Sequence, residues 1–372
     1  MSFLNKSFPL GKNFIMEKPV LLAVFILLLG CTTKVENHAE ASGPTAIDGR
    51  KEVVCFIYHR FGDSRYPSTN ISLADFEAHL RYLKTNDFTA LTFSAAIDYL
   101  RSNQTLTKVA VISIDDGFQS FYKNAIPLLK KYDFPATLFI NTETVGIGDY
   151  MGWKEIKEAH DQGIEIGNHT HSHAYFLNHP ETERYEAFEA DVKQTQKLIE
   201  DNIGQAPETF AYPYGELDLK MKAIIKSLGF KAAAAQNSGV IYNGTDFMQC
   251  PRFPMSESYA ALDRFSMKAE TKALRVNSKT PESFVLPEGE NTPALKLNFA
   301  LAGLRVEQLQ CFIQGSACRI NQALNEDSTV TLTLTPKSPI STRRRTLYTV
   351  TVPSDEGRWR WFSHLWINPN AD

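Results

Sequence analysis

The sequence lacks a large excess of charge of either sign. Its 372 residues include 39 Lys and Arg against 42 Asp and Glu, a formal net charge of −3, and its pI is near 6.3. Because nucleic-acid-binding proteins usually carry a strongly basic patch, we expect no nucleic-acid partner. No internal repeat of solenoid length is present either, which argues against a repeat array.

Long hydrophobic runs are scarce. Residues 19–30 form an apolar run of about a dozen residues, too short for a permanent membrane-spanning helix. The run follows Lys18 and ends in Leu28-Leu29-Gly30-Cys31, which resembles the bacterial lipobox, in which the cysteine is lipidated and becomes the mature N-terminus. A plain signal peptide or an uncleaved anchor is the alternative.

The lipobox interpretation sets the first two segments and the location. Residues 1–31 are predicted to be a lipoprotein signal peptide, and residues 32–50, with few large apolar side chains, a flexible tether. We therefore expect a cell-envelope protein, in the outer membrane or facing the periplasm, that is anchored to the membrane through a lipid on Cys31.

Cysteines are few, with five in all. The export signal permits disulfides, and Cys311 and Cys318 are close enough in sequence to close a small hairpin-like loop, so we predict a bridge between them. Cys55 and Cys250 both lie in predicted strands. They pair if the first and last strands of a closed sheet are neighbours, and otherwise they are buried free thiols.

Residues 51–273 are predicted to form the main domain. Without the leader, about 340 residues remain, more than one core usually holds, so a main domain and a smaller one are expected. Predicted strands cover 53–58, 109–114, 135–140, 163–167, 208–213, 231–235 and 247–252; predicted helices cover 94–100, 118–132, 153–160, 182–203 and 217–228, with one more capped by Ser72. Repeated β-α units predict an α/β fold, a (β/α) barrel that is either distorted or seven-stranded.

The pattern changes after Lys272. Residues 329–335 and 346–352 alternate polar and apolar side chains with period two, and turn residues separate them. We therefore predict that residues 280–372 form a C-terminal antiparallel β domain resembling a β-sandwich.

Two adjacent carboxylates, Asp115 and Asp116, end an apolar run that is predicted to be a buried strand, and a later predicted strand delivers His169 and His173. The carboxyl ends of parallel strands meet at one edge of a sheet. Two imidazoles four residues apart share a helical face and bind one divalent ion, and one aspartate completes three protein ligands with positions left open for water. An acid pair alone is more often a solvated turn, but with the histidines it predicts a metal site with a spare acid.

Three motifs occur in order along the chain. They are Ser113-Ile114-Asp115-Asp116-Gly117, Gly167-Asn168-His169-Thr170-His171-Ser172-His173 and Phe210-Ala211-Tyr212-Pro213-Tyr214-Gly215. Together they resemble the motifs of the polysaccharide deacetylases, the NodB-homology group. The resemblance covers roughly residues 52 to 270.

The resemblance implies a role for each motif. Asp115 is expected to be the general base, and Asp116, His169 and His173 are expected to hold the metal. The Pro-Tyr-Gly loop is expected to line the sugar site, with the backbone N–H of Tyr214 donating to the oxyanion. This division suits an N-acetyl amide, a poor electrophile that needs both a Lewis acid and a base.

The chain also departs from the family pattern. Many members carry an arginine where this chain has Ala211, and a leucine-histidine motif near the end of the domain is missing. His59, at the end of the first strand, would replace that histidine as general acid if the motif is circularly permuted; the alternative is a strand-end residue that moves no proton. This arrangement, and the run 251–255, resemble the poly-N-acetylglucosamine deacetylase branch, which implies that Arg252 replaces the absent arginine and orients Asp115.

The predicted function is metal-dependent removal of N-acetyl groups from a polysaccharide, with poly-β-1,6-N-acetylglucosamine as the first choice and chitin-like or peptidoglycan glycans as alternatives. The rival class is a catalytically silent carbohydrate-binding or export-scaffold lipoprotein. Two imidazoles and a carboxylate suit Zn²⁺, Co²⁺, Ni²⁺ or Fe²⁺, and we predict Zn²⁺ on availability. Polysaccharide export proteins are candidate partners.

Three tryptophans near the C-terminus have two interpretations. Trp359, Trp361 and Trp366 fall in a strand-like run and would form a sugar-stacking face. Alternatively, they pack in a core or against the barrel.

Overall fold

The computed structural model describes residues 51 to 371. The predicted signal peptide, the tether and Cys31 lie outside these residues. Within them, no helix combines the length and the apolar character needed to cross a membrane.

The first eleven strands belong to the predicted main domain. They are β1 (Glu52–Tyr58), β2 (Arg60–Phe61), β3 (Asn70–Ile71), β4 (Thr89–Leu91), β5 (Val109–Asp116), β6 (Thr137–Ile140), β7 (Glu165–Asn168), β8 (Thr209–Ala211), β9 (Ala232–Ala234), β10 (Val240–Tyr242) and β11 (Phe253–Pro254). The longest, β1 and β5, are almost entirely buried, as their near-continuous apolar sequences require of parallel strands covered on both faces.

Nine of these strands form a curled, mostly parallel sheet with the order β10-β1-β5-β6-β7-β8-β9, while β4 pairs with β5 and β11 with β1; β2 and β3 pair separately. All neighbours on this path are parallel except β1 and β10. The prediction of a distorted (β/α) barrel is confirmed.

Within residues 51–371, seven α-helices connect the strands. They are α1 (Leu73–Thr85), α2 (Phe93–Arg101), α3 (Ile126–Tyr132), α4 (Trp153–Asp161), α5 (Glu181–Ile203), α6 (Leu219–Ser227) and α7 (Leu262–Glu270). Helix α1 begins after Ser72 as predicted, because the Ser72 hydroxyl accepts a hydrogen bond from the Asp75 N–H at 3.0 Å. Its buried face includes Phe76, Leu80 and Leu83.

The predicted strand at 247–252 is wrong. Phe247–Gln249 is a 3-10 turn, and the strand-like contacts begin only at Cys250, whose N–H donates to Ala233 O at 2.8 Å. The following residues cross to β1, where β11 pairs in parallel with Phe56 and Ile57. The segment 250–254 therefore closes the barrel between β9 and β1, and we call it the closing segment.

Eight further strands follow. They are β12 (Lys272–Ala273), β13 (Val276–Thr280), β14 (Leu295–Ala300), β15 (Gln310–Ile313), β16 (Cys318–Leu324), β17 (Thr329–Pro336), β18 (Arg345–Pro353) and β19 (Trp359–Ile367). They form two four-stranded sheets, ordered β12-β19-β18-β15 and β13-β14-β17-β16, with all pairs antiparallel except β12 and β19. Apolar side chains of both sheets share one buried cluster, which makes the C-terminal region a β-sandwich.

The sandwich packs directly on the barrel. One buried cluster combines Phe284, Leu365 and Ile367 of the sandwich with Tyr212 and Phe230 of the barrel. The two regions therefore share a hydrophobic interface.

Two of the three tryptophans of β19 follow the packing interpretation. Trp361 lies edge-on to Phe253 of the barrel, with ring centroids 5.3 Å apart. Trp366 is 2% exposed and belongs to the sandwich core. Neither ring is free to form a sugar-stacking face.

The structure also shows the state of the four cysteines among residues 51–371. Cys311 and Cys318 form the predicted disulfide, which joins β15 of one sheet to β16 of the other. Cys55 and Cys250 are buried free thiols.

Candidate active site

The two aspartates lie at the carboxyl end of β5. Asp115 is fully buried. Asp116 has a left-handed backbone with φ of 75°, and Gly117 continues it with φ of 80°. This turn breaks the alternation of the strand, so the two neighbouring carboxylates are not simply projected to opposite faces of the sheet.

The histidines lie in a loop after β7, not on a helix as their spacing suggests. Thr170 and His173 have positive φ of 66° and 52°, so the chain turns back and brings His173 beside His169. Asp191 of α5 holds this loop by accepting from the backbone N–H groups of His171 and Ser172.

The donor atoms of Asp116, His169 and His173 converge. The two Nε2 atoms are 3.2 Å apart, and Asp116 Oδ1 lies 3.6 Å from His169 Nε2 and 3.5 Å from His173 Nε2. Ligand atoms about 2.0–2.2 Å from one zinc-sized ion at tetrahedral angles lie roughly 3.3–3.6 Å apart. The three side chains therefore fit a single divalent cation, and they are the one such group among residues 51–371.

A backbone carbonyl group fixes the orientation of the His169 ring. Its Nδ1 lies 2.7 Å from the carbonyl oxygen of Ala211, so Nδ1 carries the proton and donates it. Nε2 is the ring nitrogen that faces the cluster and would bind the ion. A backbone carbonyl behind a ligating imidazole is a frequent arrangement in metal sites.

Arg252 forms a bidentate salt bridge with Asp115. Nη1 donates to Oδ1 at 2.7 Å and Nη2 to Oδ2 at 2.9 Å, and both side chains are fully buried. The remaining guanidinium donors reach Ala235 O at 2.9 Å and Ser113 Oγ at 3.2 Å. The planar guanidinium fixes the orientation of the Asp115 carboxylate. Its Oδ2 atom then lies 3.8 Å from His169 Nε2.

The charges around the aspartates keep them ionised. Burial alone would raise the pKa of Asp115, but the positive charges of Arg252 and His169 outweigh burial and hold the pKa below its ordinary value. Neighbouring imidazoles, His169 foremost, likewise lower the pKa of Asp116, although burial alone would raise it. Asp115 can therefore accept a proton at neutral pH.

The two imidazoles respond differently. Burial lowers the pKa of His173 to about 4, and the neighbouring His169 adds to this effect. For His169 the charges of Asp115 and Asp116 outweigh burial and raise the pKa.

Tyr214 lies in the turn Pro213–Gly215 that follows β8. Its backbone is left-handed, with φ of 58° and ψ of 4°. Gly215 follows with φ of 70°, and a Cβ there would lie 2.8 Å from the backbone nitrogen of Gln236. Glycine at 215 therefore permits both the left-handed backbone and the close approach of the turn to Gln236. The Tyr214 ring contacts the His173 ring, with centroids 4.5 Å apart.

His59 directly follows β1 and is half-buried. The parallel register that pairs Tyr58 of β1 with Ile114 of β5 places His59 at the same carboxyl end of the sheet as Asp115. The structure thus brings together all seven residues singled out in the sequence: His59, Asp115, Asp116, His169, His173, Tyr214 and Arg252.

Several positioning residues were missed. Asp191 and Ala211 act through the histidine loop, and no local pattern marks either one. Arg344 and Arg345 contact the Tyr214 turn from the sandwich. A run of three consecutive arginines, 343–345, was a visible signal for them.

Comparison with known proteins identifies the family. The family model for polysaccharide deacetylase matches residues 102–233. A poly-beta-1,6-N-acetyl-D-glucosamine N-deacetylase of Staphylococcus aureus is 30% identical over 213 residues, covering 54% of this chain and 73% of the relative. The chain belongs to the polysaccharide deacetylase family and is therefore an enzyme whose substrate is an N-acetylated polysaccharide.

Solved structures share the barrel. IcaB from Ammonifex degensii is 26% identical with a TM-score of 0.51, covering 59% of this chain and 97% of IcaB. The Streptococcus pyogenes deacetylase PplD, at 20% identity and a TM-score of 0.55, covers 59% of this chain and 99% of PplD. The second likeness concerns the fold alone, whereas the first and the curated relative make the chain similar to the poly-N-acetylglucosamine branch.

Proposed function

We propose that the protein is a divalent-metal-dependent N-deacetylase of poly-β-1,6-N-acetylglucosamine. The observation that carries the proposal is the buried Asp115–Arg252 pair directly beside the Asp116, His169 and His173 donor set. A set kept only for binding sugar would not need a second carboxylate locked next to the donors. The similarity to the Staphylococcus aureus enzyme supports the choice of polymer.

Asp116, His169 and His173 are the residues that would hold the ion. When bound there, a divalent ion polarises an amide carbonyl and makes water more acidic. Three protein donors of nitrogen and oxygen suit Zn²⁺, which we propose on availability, with Co²⁺, Ni²⁺ and Fe²⁺ as alternatives.

The chain's other residues supply the proton transfers. Asp115, kept ionised and oriented by Arg252, accepts the proton of the attacking water. The Tyr214 N–H donates to the carbonyl oxygen as negative charge develops on it. His59 donates a proton to the departing amine, so the carbon–nitrogen bond breaks to give acetate and a free glucosamine amine.

The test combines metal analysis with acetate release. We expect one equivalent of metal per chain, and faster acetate release from β-1,6-linked N-acetylglucosamine oligomers than from chitin or peptidoglycan fragments. The double variant His169→Ala/His173→Ala should lose metal and activity while keeping its circular dichroism spectrum. The matched control is His171→Ala, because His171 lies in the same loop but turns its Nδ1 to Thr142 Oγ1 at 2.9 Å.

Each contrary result has a separate meaning. Stoichiometric metal in the double variant would rule out this donor set. Faster turnover of chitin or peptidoglycan fragments would reassign the polymer. Glycan binding without acetate release from the metal-loaded protein would favour the scaffold alternative.

We also propose that the protein is lipid-anchored in the cell envelope, on the strength of the lipobox-like run ending at Cys31. Metabolic labelling with a fatty acid should mark the wild-type chain and leave Cys31→Ser unmarked. Labelling of the variant would contradict the anchor.

A further inference from the structure

The sandwich reaches the active site through the turn before β18. Arg343 and Arg344 lie in this turn and Arg345 begins β18, and all three lie outside the segment that the family model matches. Arg344 and Arg345 point to the barrel, whereas Arg343 is exposed.

Arg344 forms a buried, bidentate salt bridge with Glu216. Nε donates to Oε1 at 2.8 Å and Nη2 to Oε2 at 2.7 Å, with side-chain exposures of 11% and 4%. The pKa of Arg344 is raised by this hydrogen-bonded partner. Glu216 ends the Pro213–Gly215 turn, its N–H donating to Pro213 O at 3.0 Å, so the ion pair holds the end of that turn.

Arg345 holds the middle of the same turn. Its Nη1 donates to the carbonyl oxygen of Tyr214 at 2.8 Å. Tyr214 is a non-glycine residue in the left-handed region, a strained conformation that persists only when its surroundings enforce it. The hydrogen bond from Arg345 fixes the peptide plane on one side of this residue.

A second line of contacts runs through aromatic rings. The Arg344 guanidinium lies 4.1 Å from the Tyr175 ring centroid. The Tyr175 ring stacks on the Tyr214 ring at 3.8 Å with an interplanar angle of 5°, and Tyr214 in turn contacts His173. The sandwich thus contacts the turn directly and is linked to His173, one donor of the metal set, through the rings of Tyr175 and Tyr214.

We infer that the sandwich is a positioning element of the active site, in which Arg344 and Arg345 keep the Tyr214 turn in the conformation that aims its N–H at the reacting carbonyl. This inference rests on the proposed function, because it takes Tyr214 as the oxyanion donor. Neither arginine is assigned a contact with the reacting atoms. Both act through the turn.

The primary test compares Arg345→Met, Arg345→Lys and the matched control Arg343→Met in the full chain. Losing one oxyanion donor outright typically costs 10²–10³ in kcat, and a donor that is only misplaced costs less. We therefore expect Arg345→Met to lower kcat about tenfold with KM and metal content unchanged. Arg345→Lys, which keeps one donor, should recover part of the loss, and Arg343→Met should match wild type.

Hydrogen exchange provides a readout that does not depend on activity. The amides of Gly215 and Glu216, which donate within the turn to Tyr212 and Pro213, should exchange at least several-fold faster in Arg345→Met. The double variant Arg344→Met/Glu216→Met, which removes the buried pair without leaving a lone charge, should show the same acceleration and the same fall in kcat.

The outcomes separate this inference from the proposed function. Unchanged exchange in both variants would overturn the inference whatever the activity. A raised KM with unchanged kcat would also overturn it, since the arginines would then be binding sugar. Faster exchange in a chain whose wild type binds metal but releases no acetate would uphold the contact and refute the deacetylase assignment.

Discussion

At the scale of single residues, Arg252 determines what Asp115 can do. A carboxylate gripped at both oxygens cannot rotate to become a metal ligand, yet each oxygen keeps a lone pair for a proton. The left-handed backbone at Asp116 turns the second carboxylate to the same side as the first, and the two lie 3.6 Å and 3.8 Å from His169 Nε2. The adjacent pair can therefore divide two tasks at one site, whereas a regular strand would send the two side chains to opposite faces.

Replacing Asp115 with asparagine should stop proton transfer while leaving the donor set intact. We expect Asp115→Asn to bind metal and to lose turnover by a factor on the order of 100 or more, because an amide cannot accept the water's proton. Steady-state acetate release with metal analysis measures both. The exposed Asp161→Asn is the control.

The same substitution also has a stability consequence. It leaves the buried guanidinium of Arg252 without its counter-charge, so we expect the free energy of unfolding to fall by about 3–5 kcal/mol. Near-normal turnover in a destabilised Asp115→Asn would make Asp115 a structural residue only.

His59 is predicted to be needed for departure of the amine and not for binding of the sugar. His59→Ala should lower kcat with little change in KM or metal content, and should flatten the alkaline limb of the pH profile. An activated acetyl ester needs no acid and should be far less sensitive. His160→Ala, in α4 at the amino end of the barrel, is the control, and an equal loss on ester and amide would remove His59 from this role.

At the scale of elements, long periodic segments were predictable and short ones were not. The first turn of α1 was found because Ser72 and Asp75 form a local cap. Strand β10 was missed, since three residues carry too little pattern. The sequence 247–252 was predicted to be a strand because it contains several apolar residues, but these residues form a turn followed by the closing segment.

The partners of the site were harder to predict than its motifs. The histidine loop was read as helical because a spacing of four residues fits a helix, whereas positive φ angles bring the two rings together. Arg252 meets Asp115 across 137 residues, a contact that only the family resemblance suggested. No local rule of sequence encodes the approach of Arg345 to Tyr214.

The α1 cap gives a prediction at this scale. Ser72→Ala should lower the free energy of unfolding by about 1 kcal/mol, because the Asp75 N–H loses its acceptor. Chemical denaturation measures the change. The control Ser227→Ala, at an exposed position of α6, should stay within about 0.5 kcal/mol of wild type, and equal effects of the two variants would contradict the cap.

At the scale of the whole molecule, barrel and sandwich should unfold together. Removing residues 272–371 would expose the barrel side of the shared cluster, including Tyr212 and Phe230, and Phe253 would lose Trp361. Each large apolar side chain contributes about 1.5–3 kcal/mol on burial, against a typical total stability of about 5–15 kcal/mol. We therefore expect the shortened chain to lack a cooperative thermal transition by circular dichroism.

A single substitution in the full chain tests the same interface without a truncation. Trp361→Ala in the full chain should lower Tm, while Leu324→Ala, 64% exposed on the edge strand β16, should leave Tm unchanged. A shortened chain with a sharp transition at the Tm of the full chain would show that the barrel is independent of the sandwich.

The closing segment that carries Arg252 joins β1 through a short ladder, in which β11 pairs with Phe56 and Ile57, and joins β9 through the backbone of Cys250. If this segment peels away on warming, the parallel strands, the histidine loop and the cation would all persist, but Asp115 would face the site without its guanidinium. Heat would then produce a compact, metal-loaded and silent molecule before it produced an unfolded one. Loss of turnover should precede loss of ellipticity, and cooling should restore it, so that the temperature range of this enzyme is set by one seam of its barrel.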